Sequence, residues 1–212
     1  MTRLLLARHG ETAWNSARRY QGQTDVPLNE AGRHQANALA QRLSGEGLDA
    51  IYASDLLRAL ETATAIAAFH DAHIQADPRL REIAFGDWEG LTSEEIKEQN
   101  PGLLTAWHDD PLHASPPGGE TLNQVAHRAR AALAEITARN PDRTVLIVAH
   151  GGILRVLVCL ALEVSPAAYW RFRFGLASLS EVSIRQTGAT LNTLNDTSHL
   201  RTRSQKLPGA GG

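Results

Sequence analysis

The sequence holds a single cysteine, Cys159, which excludes an intramolecular disulfide and leaves no thiolate pair for a structural zinc site. Cys159 falls in the apolar stretch Ile153 to Leu162 and reads as a small core residue. Long apolar runs are also missing. No stretch approaches the roughly 20 residues of a membrane span, and the run Leu4 to Ala7 is too short for a signal peptide. Charge of neither sign dominates, with 21 Lys and Arg against 23 Asp and Glu, a net −2. The basic residues are scattered, which argues against a nucleic-acid or membrane partner. A GxxxxGK[ST] loop is absent, so a P-loop nucleotide site is excluded. Short internal repeats and low-complexity tracts are absent too. A cytoplasmic protein is the expectation.

With 212 residues, 42% of them hydrophobic, the chain can bury a full core. Two apolar runs stop abruptly at a His-Gly pair. Leu4-Leu5-Leu6-Ala7 runs into Arg8-His9-Gly10-Glu11-Thr12, and Val145 to Ala149 runs into His150-Gly151-Gly152. Both read as buried strands that carry polar groups to their C-terminal ends, where open α/β sheets hold ligands. Further strands are expected at Ala50 to Ala53, near Ile74 and over Leu80 to Ile83. A hairpin is expected from Leu179 to Arg185 and Thr190 to Leu194 across Gln186 to Gly188. Helical periodicity follows the expected caps Asn29 (Ala36, Leu39, Ala40, Leu43), Ser54-Asp55 (to about Phe69) and Thr121 (to Asn140), and a further helix runs from Gly152 to about Leu162.

Strands alternating with helices predict an α/β fold, a three-layer α/β/α sandwich with a mostly parallel central sheet and helices on both faces. Residues 84–120 differ in texture, rich in Pro, Gly and Trp, with short helices near Thr92 to Gln99 and Gly102 to His108. They read as an inserted lid, too short to make a core of their own. Residues 1–200 then form one domain, and 201–212 a flexible C-terminal tail.

Physics alone gathers an anion pocket. Arg8 and His9 end one strand and His150 another, and Arg58 falls in the first turn of a helix whose free N–H groups favour anions. The planar fork of Arg suits phosphate oxygens. Glu82, near a strand end, is a candidate proton donor. Taken singly, each has a blander reading: the Arg-His-Gly triplet as a turn, Arg58 as a solvated helix residue, Glu82 as a surface ion pair with Arg81. The recurrence at two strand ends favours the joint reading. His70 with His73, and His108 with His113, lack strict metal-ligand spacing.

The signature Arg8-His9-Gly10-Glu11-Thr12 resembles that of the histidine phosphatase (phosphoglycerate mutase-like) superfamily. The resemblance runs through Asn15, Gln21-Gly22, Asp25 to Glu30, Tyr52 to Leu56 with Arg58-Ala59, Glu82 to Leu91, Pro117 to Glu120 and Val148 to Gly152. It covers the chain roughly to Asp196. The resemblance implies that His9 is the nucleophile, that Arg8, Arg58 and His150 cradle the phosphoryl oxygens, and that Asn15, Gln21 and Gly151 contact the substrate. It implies that Glu82 protonates the leaving oxygen and then activates water. No metal or other cofactor is implied, because the Arg/His cluster supplies the positive charge.

The family splits between hydrolases and mutases. The lid holds Lys97 and no Arg, against Asp87, Glu89, Glu94, Glu95, Glu98, Asp109, Asp110 and Glu120. An acidic lid is a poor cradle for a bisphosphate, so a metal-independent phosphomonoesterase working through a phosphohistidine is favoured over a cofactor-dependent phosphoglycerate mutase. A non-catalytic module binding a phospho-ligand is the remote alternative, disfavoured by the complete catalytic set. The implied partner is a small phosphorylated metabolite. Specificity is expected in Phe85, Trp88, Trp107, His108 and Gly118, with Trp88 either lining the pocket or pinning the lid. Leu176 to Ile184 is a candidate edge strand for a homodimer, and a monomer fits equally.

Overall fold

The computed structural model describes residues 1–200; the segment read as a flexible tail, 201–212, lies outside the described residues. Strand β1 (Thr2–Arg8) is followed by a single helical turn α1 (Ala13–Ser16), then α2 (Glu30–Leu43), β2 (Ala50–Ala53), α3 (Leu57–Ala67) and β3 (Ile74–Ala76). The segment 84–120 contributes α4 (Ser93–Gln99) and α5 (Pro101–Asp109). After it come α6 (Leu122–Arg139), β4 (Thr144–Ala149), α7 (Gly151–Ala161), β5 (Leu179–Arg185) and β6 (Gly188–Asp196).

The six strands form one sheet in the order β3-β2-β4-β1-β5-β6. The first four pair in parallel, while β5 and β6 form an antiparallel hairpin at one side. The strand side chains alternate between two cores. Leu4, Leu6, Tyr52, Val145 and Ile147 pack with α6 and α7. Leu5, Ala7, Ile51, Leu146 and Val148 pack with α2 and α3 on the other face. This is the three-layer α/β/α arrangement, and its period-two alternation explains the continuous apolar runs: both faces of the sheet are covered.

Topology places the site. From β1 the chain crosses to β2 on one side, whereas from β4 it crosses through α7 to β5 on the other. The adjacent strands β1 and β4 therefore flank a topological switch point, where a crevice opens at the carboxyl ends. Arg8 lies opposite Ala149, and the N–H of His9 donates to the carbonyl of Ala149 at 3.0 Å. The two His-Gly pairs thus leave the sheet side by side.

Three details depart from the sequence reading. Leu80 to Ile83 is not a strand. Pro78–Leu80 is a short 3₁₀ turn, and the Arg128 guanidinium of α6 donates to the carbonyls of Arg79, Arg81 and Glu82, removing them from any ladder. Ser54 and Asp55 do not form the helix cap. Helix α3 begins at Leu57, whose N–H donates to Asp25 Oδ1 from the preceding loop, while Asp55 pairs with Arg81. Strand β5 is not an edge, because β6 folds back and pairs along it. The turn α1 and a 3₁₀ segment, Pro166–Arg171, carry no periodic signal and were not expected.

In the lid, α4 and α5 fall where the sequence places them. Contrary to expectation, the segment gathers a small cluster of its own, Trp88, Ile96, Leu104 and Trp107, closed by Tyr20 and Phe85. Trp88 is 3% exposed within it and pins the lid rather than lining a cavity.

Candidate active site

His9 is buried at the end of β1, held by a ring hydrogen bond. Its Nδ1 lies 2.6 Å from the Gly10 carbonyl, which can only accept, so Nδ1 carries the proton and Nε2 the lone pair. Burial pushes the imidazole pKa well below its ordinary range, and the Arg58 and Arg8 charges push it further. A neutral ring with an unprotonated Nε2 is the nucleophilic form.

His150 sits 5.1 Å from His9, centroid to centroid. Arg58 Nε, a pure donor, donates to His150 Nδ1 at 3.1 Å. Nε2 therefore carries the hydrogen and donates to Ser54 Oγ at 2.8 Å. Burial first, then Arg58, keeps this ring neutral as well. The side chain of Arg58 is completely buried. Its Nη1 donates to the Thr24 carbonyl and its Nη2 to that of Gly22, leaving one N–H on each terminal nitrogen for a ligand. Desolvation lowers its pKa, and Glu82, Asp25 and Glu89 oppose that.

Glu82 docks on the N-terminus of α7. Its Oε1 accepts from the N–H groups of Ile83 (2.9 Å) and Ile153 (3.1 Å), and Oε2 from Gly152 (3.0 Å). These bonds fix the carboxyl group in place at the start of α7. The close approach depends on Gly152, since a Cβ there would lie 2.4 Å from Oε1. The blander reading of Glu82, an ion pair with Arg81, does not hold, because Arg81 turns to Asp55.

Asn15 and Gln21 turn their carbonyl oxygens to Thr12 Oγ1, at 3.1 and 2.9 Å, so their NH₂ ends face away from it. Together Arg8, His9, Asn15, Gln21, Arg58 and Glu82 line a pocket of about 160 Å³, adequate for a phosphoryl group. A second cleft of about 320 Å³ adjoins it through Arg8, Tyr20, Glu82 and Phe85. Gly151, Trp107 and His108 line this cleft, while Trp88 and Gly118 do not. Of the sequence-derived set, Arg8, His9, Asn15, Gln21, Arg58 and Glu82 thus share one pocket. His150 stands behind it, and Gly151 opens onto the neighbouring cleft.

The histidine phosphatase superfamily (branch 1) model matches residues 4–197. The chain belongs to this superfamily. Phosphoserine phosphatase 1 of Hydrogenobacter thermophilus is 37% identical over 200 residues, covering 94% of this chain and 95% of the relative. Glucosyl-3-phosphoglycerate phosphatase of Mycobacterium tuberculosis is 40% identical over 186 residues, covering 84% and 82%. The α-ribazole phosphatase structure from Shigella flexneri superposes with a TM-score of 0.85 at 31% identity, over 92% of this chain and 96% of that one.

Several site residues of this superfamily member escaped the sequence reading. Ser54 orients His150. Arg155, Tyr169 and Trp170 complete the wall of the larger cleft. Arg155 follows Gly151 by four residues on α7, a spacing that puts both on one helix face. Tyr169 and Trp170 lie in the aperiodic 3₁₀ segment, where no sequence signal marks them. Among the described residues, no helix is long and apolar enough to cross a membrane.

Proposed function

We propose that the protein hydrolyses phosphomonoesters of small metabolites through a phosphohistidine on His9 Nε2. It is a phosphatase, a phosphoric monoester hydrolase of the histidine phosphatase superfamily. The observation that carries the mechanistic reading is the tautomer of His9. Its proton is committed to the Gly10 carbonyl, and its free nitrogen belongs to a pocket that also holds two guanidiniums and a carboxylate.

In the first step His9 Nε2 bonds to phosphorus and the P–O ester bond breaks. Glu82 delivers a proton to the departing alkoxide. The free N–H groups of Arg58, with Arg8 and the amides of Asn15 and Gln21, take the charge on the equatorial oxygens. Such in-line positioning and charge stabilisation supply most of the acceleration in phosphoryl transfer. In the second step Glu82, now a carboxylate, removes a proton from water. The resulting P–O bond replaces the P–N bond, and neutral His9 is regenerated. Burial and the Arg58 charge keep His150 neutral at the back of the cradle, and Ser54 fixes its tautomer.

Hydrolysis is favoured over mutase chemistry by what the lid presents. Glu89 and Glu95 are engaged by N–H groups of the loop after α1, and Glu120 by Ala84 of the lid and Arg128 of α6. The lid's contribution to the cleft is Phe85, Trp107 and His108, with no Lys or Arg to receive a second phosphate. The relatives' phosphoserine, glucosyl-3-phosphoglycerate and α-ribazole esters define the substrate range to screen. We further place the reaction in the cytoplasm and any homodimer contact on the outer edge of β6, which has no further strand beside it among the described residues, rather than on β5.

The test is phosphate release in EDTA across those esters, with the phosphoenzyme trapped by rapid acid-free quench and mapped by mass spectrometry. A phosphoryl group on His9, lost together with turnover in a folded His9→Ala variant, is expected. Turnover surviving in that variant would refute the nucleophile.

A further inference from the structure

Glu89 is a lid carboxylate that the reaction leaves unused. It follows the 3₁₀ turn Gly86–Trp88 and is partly buried. Its Oε1 accepts from the N–H groups of Gln23 (2.9 Å) and Phe85 (3.0 Å). Its Oε2 accepts from the N–H of Thr24 (2.9 Å) and from the Thr24 hydroxyl. One lid side chain thus gathers three donors from the loop after α1. The approach requires glycine at position 22, where φ is +51° and an added Cβ would overlap Glu89 Oε1.

The same loop aims Arg58. Nη2 donates to the Gly22 carbonyl at 2.7 Å and Nη1 to the Thr24 carbonyl at 2.9 Å. The Gly22 carbonyl and the Gln23 N–H are the two ends of one planar peptide unit. A single rigid amide therefore stands between the Glu89 carboxylate and the Arg58 guanidinium. Its N–H donates to the first and its carbonyl accepts from the second. Hydrogen bonds in such a chain polarise one another, so an anion at the N–H end makes the carbonyl a stronger acceptor. We infer that Glu89 is a positioning residue: through the Gly22–Gln23 peptide it fixes the Arg58 fork against the phosphoryl oxygens and makes the cradle depend on the lid, a role that rests on the phosphatase reading for what fills the smaller pocket.

Pinning the loop to the lid does not by itself call for a carboxylate. Neutral backbone bonds already join them: the Gly90 N–H donates to the Tyr20 carbonyl at 2.8 Å, and the Tyr20 N–H to the Leu91 carbonyl at 2.9 Å. Partial burial of a charge costs free energy that a neutral acceptor would avoid. The charge has a use at Arg58. Burial lowers the pKa of that guanidinium, and the charges of Glu82, Asp25 and Glu89 oppose the shift. Glu82 takes part in the proton transfers, so its charge varies through the cycle. Glu89 stands outside them and supplies a constant one.

The experiment is a double-mutant cycle on the full chain: unmodified, Glu89→Gln, Arg58→Met and both together, assayed with p-nitrophenyl phosphate in EDTA. Gln keeps the shape of Glu, removes its charge and turns an NH₂ toward backbone N–H groups on one side. Glu89→Gln is expected to lower kcat/KM about tenfold in the unmodified chain, mostly in kcat, as displacement of a positioned group does. In the Arg58→Met background the same change is expected to cost less than about twofold, because a residue that acts through Arg58 then has nothing to act on. Equal losses in both backgrounds, the mark of a purely structural role, would overturn the inference, as would no loss in the unmodified chain. Where Arg58→Met fails to fold or turns over too slowly to measure, the ¹H–¹⁵N spectrum of the ligand-free chain decides. Resolved Arg58 Nη–H signals are expected in the unmodified chain and merged ones in Glu89→Gln; signals that stay resolved would refute the relay. That spectrum needs no substrate. Absence of hydrolysis by the unmodified chain would sink the phosphatase reading while the guanidinium signals still report on Glu89, so the two failures are distinguishable.

Discussion

Replacing Gly152 by alanine isolates the acid–base step from the rest of the site. The added Cβ would lie 2.4 Å from Glu82 Oε1 and 2.7 Å from Ile83 Cδ1, against about 3.4 Å for an ordinary contact. Glu82 must retreat by about 1 Å, the difference of those distances. That takes Oε1 out of reach of the Ile83 and Ile153 N–H groups, which now bond it at 2.9 and 3.1 Å. A displacement of this size costs on the order of 100-fold in rate, about 2.7 kcal/mol of barrier, when it affects a positioned catalytic group. Stability should change little. Crowding of Ile83 costs about 1 kcal/mol, and alanine in a helix recovers up to about 1 kcal/mol over glycine. The loss should track the leaving group. An alkyl phosphate needs the proton from Glu82, whereas p-nitrophenolate departs without it. The assay is kcat on one alkyl and one aryl ester, with a thermal melt as control. A loss of about 100-fold on the alkyl ester and under tenfold on the aryl ester is expected. Equal losses on both, or none on the alkyl ester, would refute the assignment of Glu82 to the leaving oxygen.

Ser54→Ala removes the acceptor for His150 Nε2–H and leaves a buried donor unpaired, at a cost of about 1–3 kcal/mol; denaturant titration and kcat should both fall, and an unchanged midpoint would contradict the tautomer drawn for His150. The pH dependence of stability follows from His9 and His150, whose folded-state pKa values lie well below the ordinary 6.5. Below that value the unfolded chain binds protons that the native chain refuses, so stability is complete above about pH 6.5 and declines as the pH falls, by at most ~1.4 kcal/mol per pH unit for each histidine. Denaturant midpoints at pH 7.5, 6.0 and 5.0 measure this, and a flat profile would show that the two rings are not buried neutral. Trp88→Ala empties the centre of the lid cluster, where such truncations cost about 3–5 kcal/mol; limited proteolysis should cut within 84–120 before the domain unfolds, and cleavage elsewhere first would mean that the lid does not depend on this contact.

The site was legible where chemistry coincides with the ends of periodic elements. Arg8, His9 and His150 follow apolar runs that can only be buried strands, and Arg58 opens an amphipathic helix. Glu82 was picked out near an expected strand end, and its surroundings were misjudged: it is held by the backbone N–H groups of Ile83 and of α7 rather than placed by a strand or paired with Arg81. Nothing local could show that, because the bonds span about 70 residues of sequence. Arg128 was missed for the same reason; it sits in the middle of α6 and takes the carbonyls that would otherwise have made Leu80 to Ile83 a strand.

The sequence by itself determined the α/β alternation, the positions of most strands and helices, and which candidate anion-binding groups stand at strand and helix ends, since burial periodicity and strand-end placement are local properties of the chain. Only the tertiary structure decided which nitrogen of each histidine carries the proton, how Glu82 is anchored, and that Arg155 and Tyr169 meet beside Arg8. Those depend on which distant donor faces which acceptor, and that pairing exists only once the sheet order has brought the carboxyl ends of β1 and β4 together beneath the lid.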